Sequence, residues 1–76
     1  MKLAVRVTWD KRDDLGYIYF KEIQPGSVAH TFPCPPDDVC GHTINLDFDT
    51  EGRLVGIELI RASKVLPAEF LSAPQN

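Results

Sequence analysis

The chain is expected to fold as an α+β domain that is mostly β, an antiparallel sheet of four to five strands with a short C-terminal helix. Three observations carry that expectation. Apolar residues alternate with polar ones at period two in residues 3–9 and again in residues 44–48. Turn signals punctuate the chain at Gln24-Pro25-Gly26-Ser27 and at Asp49-Thr50-Glu51-Gly52. A proline-led apolar run, Pro67-Ala68-Glu69-Phe70-Leu71, closes it.

The first strand follows from Leu3, Val5, Val7 and Trp9 alternating with Lys2, Ala4, Arg6 and Thr8, the pattern of a strand with one buried face. Asp10-Lys11-Arg12-Asp13-Asp14 is a charged turn. Residues 16–23 then form a second strand in which Tyr17, Ile18, Tyr19 and Phe20 follow one another. Both faces of that strand are apolar, which places it centrally with cover wanted on both sides. After the 24–27 turn, residues 28–32 read as a third strand or irregular edge, and residues 33–42 as a loop, because three prolines disfavour ladder pairing there. Residues 1–72 make one small domain and residues 73–76 a frayed tail. Val65, Leu66, Phe70 and Leu71 are expected to pack on the sheet, with Ser63 as a helix cap.

Residues 44–60 admit two incompatible readings. Asp47, Asp49, Glu51, Gly52 and Glu58 fall at the spacing of a helix-flanked calcium loop. That loop needs an amphipathic helix on each side, yet Ile44, Leu46 and Phe48 alternate with Asn45, Asp47 and Asp49, and the run after Leu54 is β-branched with a glycine in it. A β-hairpin fits better, with Asp49 opposite Arg53 and Gly52 in the left-handed region. Counting outward pairs Phe48 with Leu54, Asp47 with Val55, Leu46 with Gly56, Asn45 with Ile57 and Ile44 with Glu58. One face then gathers Ile44, Leu46, Phe48 and Leu54. The other sets Val55, Ile57 and Leu59 beside Asn45, Asp47 and Asp49, half apolar and half acidic.

Composition narrows the function classes. A 76-residue chain of this size buries only about 60% of its unfolded surface, so association with another molecule would help it. The net charge of −3 and the scattering of eight Lys and Arg argue against nucleic-acid binding. No apolar run approaches the roughly 20 residues needed to cross a membrane, and residues 1–9 lack the apolar block of a secretory signal. The expected compartment is the cytoplasm, where Cys34 and Cys40 stay reduced. No cofactor is implied.

Four potential soft-metal ligands, His30, Cys34, Cys40 and His42, lie within thirteen positions. Their intervals do not make the tight Cys-x-x-Cys knuckle of zinc modules, so free thiols and solvated imidazoles are the plainer reading. The same residues contain every ingredient of a cysteine–histidine nucleophile pair but no orienting group, and Asp10, Asp13 and Asp14 read as a solvated turn rather than an acid/base cluster. Tyr17 and Tyr19 share a strand face. A base-stacking platform would need basic companions that the chain lacks, so packing or an interface suits them better. The chain is therefore expected to be no enzyme but a small interaction module. Surplus apolar surface, with Tyr17, Tyr19, Val55, Ile57 and Leu59 as the interface, points to a homodimer.

The order of blocks also carries a resemblance. Asp10 ends an opening strand, followed by Asp14-Leu15-Gly16-Tyr17-Ile18, then Asn45-Leu46-Asp47-Phe48-Asp49, then residues 52–58 and Ala62-Ser63. This pattern resembles the bacterial domain-of-unknown-function 2283 family. The resemblance implies a compact α+β domain of small cytoplasmic bacterial or phage proteins without an established activity. Some members are encoded beside small toxin-like genes, which implies an antitoxin-like or other partner-binding role. The 33–42 loop departs from the family's shorter middle section.

Overall fold

The computed structural model describes residue 1, residues 3–34 and residues 43–72. Five strands form one antiparallel sheet: β1 (Arg6–Asp10), β2 (Leu15–Tyr19), β3 (His30–Cys34), β4 (Thr43–Phe48) and β5 (Leu54–Ile60). Their spatial order is β1-β2-β5-β4-β3. A single 3₁₀ turn (Ala62–Lys64) and a one-turn helix α1 (Ala68–Leu71) follow β5. The mostly-β architecture with a short C-terminal helix is as the sequence predicts. The loop of residues 35–42 and the tail of residues 73–76 lie outside the described residues.

Strand boundaries shift where side chains have nothing to pack on. β1 begins at Arg6 rather than Leu3, and Leu3 is 83% exposed. β2 stops at Tyr19 and is an inner strand, between β1 and β5. β3 extends through Pro33, which pairs with Asn45, in place of the loop expected from the prolines. The reason is position. β3 is an edge, and a residue with no N–H fits there with its nitrogen turned away from β4.

The β4–β5 turn forms as its residues dictate. Asp49 N–H donates to the Arg53 carbonyl at 2.9 Å, Gly52 N–H donates to the Asp49 carbonyl at 3.0 Å, and Gly52 has φ +78°. Asp49 Oδ1 accepts the backbone N–H of Glu51 at 2.9 Å and of Arg53 at 3.0 Å. Those bonds, the Arg53 one foremost, hold the Asp49 carboxyl below its ordinary value, and the Arg53 charge is the weakest contributor.

Beyond the turn the register departs from the simple outward count. Phe48 pairs with Leu54 as expected, but a bulge between Asp47 and Phe48 sets Asp47 against Gly56, Leu46 against Ile57, Asn45 against Glu58 and Ile44 against Leu59. A slip of one residue moves a strand's side chains to the opposite face. The bulge therefore brings Val55, Ile57 and Leu59 to the side of Ile44, Leu46 and Phe48, and the mixed apolar–acidic face predicted from the sequence does not exist. The gain is segregation: apart from Ile60, which pairs with Thr43, the greasy residues that were split between two sides now share one.

The C-terminal segment turns over that side. Ala62 is fully buried and sits against Gly16, where an added Cβ would lie 3.1 Å from the Ala62 Cβ and 3.3 Å from the Thr8 carbonyl oxygen. Ser63 caps no helix. Pro67 is the residue before α1, and no side chain caps that helix.

Candidate functional site

The pairings across all five strands define two unlike faces. Val7, Trp9, Ile18, Ile57, Leu59, Ile44, Leu46, Phe48, Phe32 and His30 share one face. Arg6, Thr8, Tyr17, Tyr19, Glu58, Asn45, Asp47 and Thr31 share the other. Most of the apolar surface expected on both sides of β2 and β5 is thus on one side, with the Leu15–Ile60 pair on the other beside Tyr17 and Tyr19.

That apolar face is thinly covered. Among the described residues the buried apolar side chains are Val55, Leu59 and Ala62, and no large side chain is fully enclosed. Val7, Trp9, Ile18, Ile57, Ile44, Leu46 and Phe48 are only half-buried, and Phe32 is 55% exposed. Phe32 meets Phe48 edge-on, ring centres 5.6 Å apart. With His30, Leu46 and Gly52 they line a shallow depression of about 380 Å³. Half-buried apolar side chains thus run in contiguous rows across the sheet.

The polar face is closed on itself. Asp47 is 8% exposed, and both its carboxylate oxygens are engaged: Tyr17 OH donates to Oδ2 at 2.5 Å and Thr31 Oγ1 to Oδ1 at 2.8 Å. Asn45 Nδ2 donates to Glu58 Oε1 at 2.8 Å. The Tyr17 ring lies over Gly56, whose missing side chain leaves it room, since any Cβ there would collide with the ring. Burial, then the bond to Asp47, pushes the Tyr17 phenol above its ordinary value. Tyr19 packs on Tyr17 with ring centres 4.5 Å apart and receives the Arg6 guanidinium 3.8 Å from its own centre. Each of these groups already has a partner, so this face is organised for register rather than for capture.

A third cluster ties the chain ends together. Asp14, at φ 54°, accepts Trp9 Nε1–H at 2.9 Å, Ser63 N–H at 2.9 Å and the Ser63 hydroxyl at 2.6 Å, and its carbonyl accepts Ala62 N–H at 3.0 Å. These bonds, led by the Ser63 hydroxyl, lower its carboxyl pKa. Asp14 is thus no idle member of a solvated turn; Asp10 is, its Oδ1 accepting Arg12 N–H at 3.0 Å.

The residues singled out from sequence are dispersed. Tyr17 and Tyr19 lie on the polar face. Val55 and Leu59 are each 3% exposed, sealed within the chain itself, and Ile57 is half-buried on the apolar face. His30 and Cys34 are both on β3, four positions and therefore roughly 13 Å apart, too far for a nucleophile–base pair. Cys40 and His42 lie outside the described residues. Asp47, Asp49 and Glu58 are engaged separately, by Tyr17 and Thr31, by the turn backbone and by Asn45. Among the described residues no three His, Cys, Asp or Glu side chains gather as a metal ion requires, and no helix is long and apolar enough to cross a membrane. The Asp14–Ser63 pair was missed because its members stand 49 residues apart.

One family model matches residues 6–63, most of the chain, and its description is "Protein of unknown function (DUF2283)". No curated protein and no solved structure matches. The match runs from the first residue of β1 to Ser63, so the whole sheet and the Asp14–Ser63 contact fall within it.

Proposed function

Because the chain belongs to the DUF2283 family, whose function is unknown, we propose that it is a non-enzymatic interaction module whose apolar sheet face is covered by a second copy of itself. The observation that carries this is the poverty of the core among the described residues: three buried apolar side chains, Val55, Leu59 and Ala62, within a five-strand face of half-buried ones.

Geometry and charge favour a second copy as the cover. Five strands span about 19 Å at ordinary strand spacing, whereas a single helix covers about 10 Å. An equal sheet matches that width, and two apolar faces pack at about 10 Å. A chain of net charge −3 repels its own kind only where charges meet. Among the described strand residues, the acidic ones, Asp10, Asp47 and Glu58, stand on the polar face, while the apolar face carries His30. Association through the edges is poorly served. Pro33 interrupts the donor row of β3, and β1 bears Arg6 and Asp10.

Light scattering over a concentration series tests the reading. The protein should run at twice the 8.5 kDa chain mass. Phe32→Asp and Leu46→Asp should return it to one copy while the far-ultraviolet sheet signal persists, because Phe32 is already exposed and Leu46 half-buried. A wild-type chain that stays single at millimolar concentration overturns self-association and leaves the face to a foreign partner.

A further inference from the structure

Resting on that reading of the apolar face, we propose that residues 62–72 are a latched strap. They cover one end of the face, are held shut by Asp14, and limit what docks there.

The strap's attachment is narrow. Residues 62–72 bond to the sheet at Asp14, Ala62 N–H on its carbonyl and Ser63 N–H and Oγ–H on its carboxylate, and Lys64 N–H donates to the carbonyl of the adjoining Arg61. The remaining bonds of this segment are internal. Val65 and Leu66 donate to the Ala62 carbonyl, Phe70 and Leu71 to the Pro67 carbonyl, and Ser72 to that of Ala68. α1 buries no residue, and Phe70 is 48% exposed. A segment tied at one point and packed by half-buried Val65, Leu66 and Leu71 opens at far lower cost than the sheet does.

What lies under it gives the opening a consequence. Ala62 is wedged onto Gly16 and near Leu59, and Leu59 is one of the three buried apolar residues. Lifting the strap adds the row of Trp9, Gly16, Leu59 and Ile44 to the neighbouring half-buried row of Val7, Ile18, Ile57 and Leu46, which lengthens the apolar face along the strands. The left-handed backbone at Asp14 and at Arg61, φ 54° and 61°, flanks the latch on both sides. Two such conformations at non-glycine residues are uncommon, and the contacts between them hold both in place. The latch also contains its own reporter: Trp9, the one tryptophan of the chain, donates its indole N–H to the same carboxylate oxygen that takes Ser63 N–H.

Ser63→Glu sets a like charge against Asp14 and tests the strap. With the sheet signal retained, acrylamide quenching of Trp9 and binding of an anilinonaphthalene dye should both rise. Self-association should tighten about fivefold, the low end of ordinary site-to-site coupling. Unchanged quenching and dye binding in the folded variant overturn the strap. So does an opened variant that associates more weakly, since residues 62–72 would then belong to the interface. Increases in both optical signals while wild type and variant remain single copies uphold the strap and remove the second-copy reading instead. Should Ser63→Glu lose the sheet, Ser63→Ala removes one of the three donors to the carboxylate and is judged by the same two signals.

Discussion

The two faces of this sheet are built on opposite principles. The polar face spends few residues and engages them fully: Asp47 takes Tyr17 and Thr31, Asn45 takes Glu58, and Tyr19 takes Arg6. The apolar face commits many residues and completes few of their contacts. Satisfied polar contacts are directional and tolerate no slip, whereas apolar rows pack in more than one register. The polar face therefore fixes which residues meet, and the apolar face supplies the driving force for folding and, on the reading proposed above, for association.

The largest effect should come from the apolar side. Leu59→Ala removes one of the few enclosed side chains and should cost about 2–4 kcal/mol, a large fraction of the stability of so small a domain, read from the urea midpoint. An unchanged midpoint would mean that Leu59 is not an anchor and that the faces differ less than their burial suggests.

On the polar side, Gly56→Val should cost about 2 kcal/mol by driving the Tyr17 ring off its seat and away from Asp47. Tyr17→Ala in the same background should remove most of that penalty, because the collision is with the ring. A double-mutant cycle measures this directly, and additive costs would show that the ring does not set the register.

The smallest effect is acid sensitivity. Asp14 and Asp49 both titrate below the ordinary carboxyl value of 3.8, through the Ser63 hydroxyl and the Arg53 backbone N–H respectively. A depressed folded pKa gives stability that is complete above the unfolded value and lost as pH falls through the folded one. The urea midpoint should thus hold steady down to about pH 5 and decline below it, and Asp14→Asn should make that decline shallower. An identical slope in wild type and variant would remove Asp14 from the acid response.

Local chemistry made much of the fold legible in the sequence. The Asp49–Gly52 turn, the alternation through Ile44, Leu46 and Phe48, and proline ahead of α1 each act within a few residues. What escaped was non-local. The bulge at Asp47/Phe48 has no residue signature of its own; its trace is that Val55, Ile57 and Leu59 would otherwise lie on the side of Asp47. The Asp14–Ser63 contact could not be read from two polar residues in separate turns. Pro33 misled because proline disfavours pairing within a sheet but is tolerated at its border.

That proline sets a limit on numbers. Layers that meet greasy side to greasy side are finished after two members, since each then shows the solvent its mainly polar back. Margins that meet strand to strand have no such end point, and every addition creates a fresh margin. By withholding one donor from the outer row of β3, a ring without an N–H keeps growth along that direction from starting. On the reading proposed above, it thereby separates a complex with a fixed count of subunits from a filament.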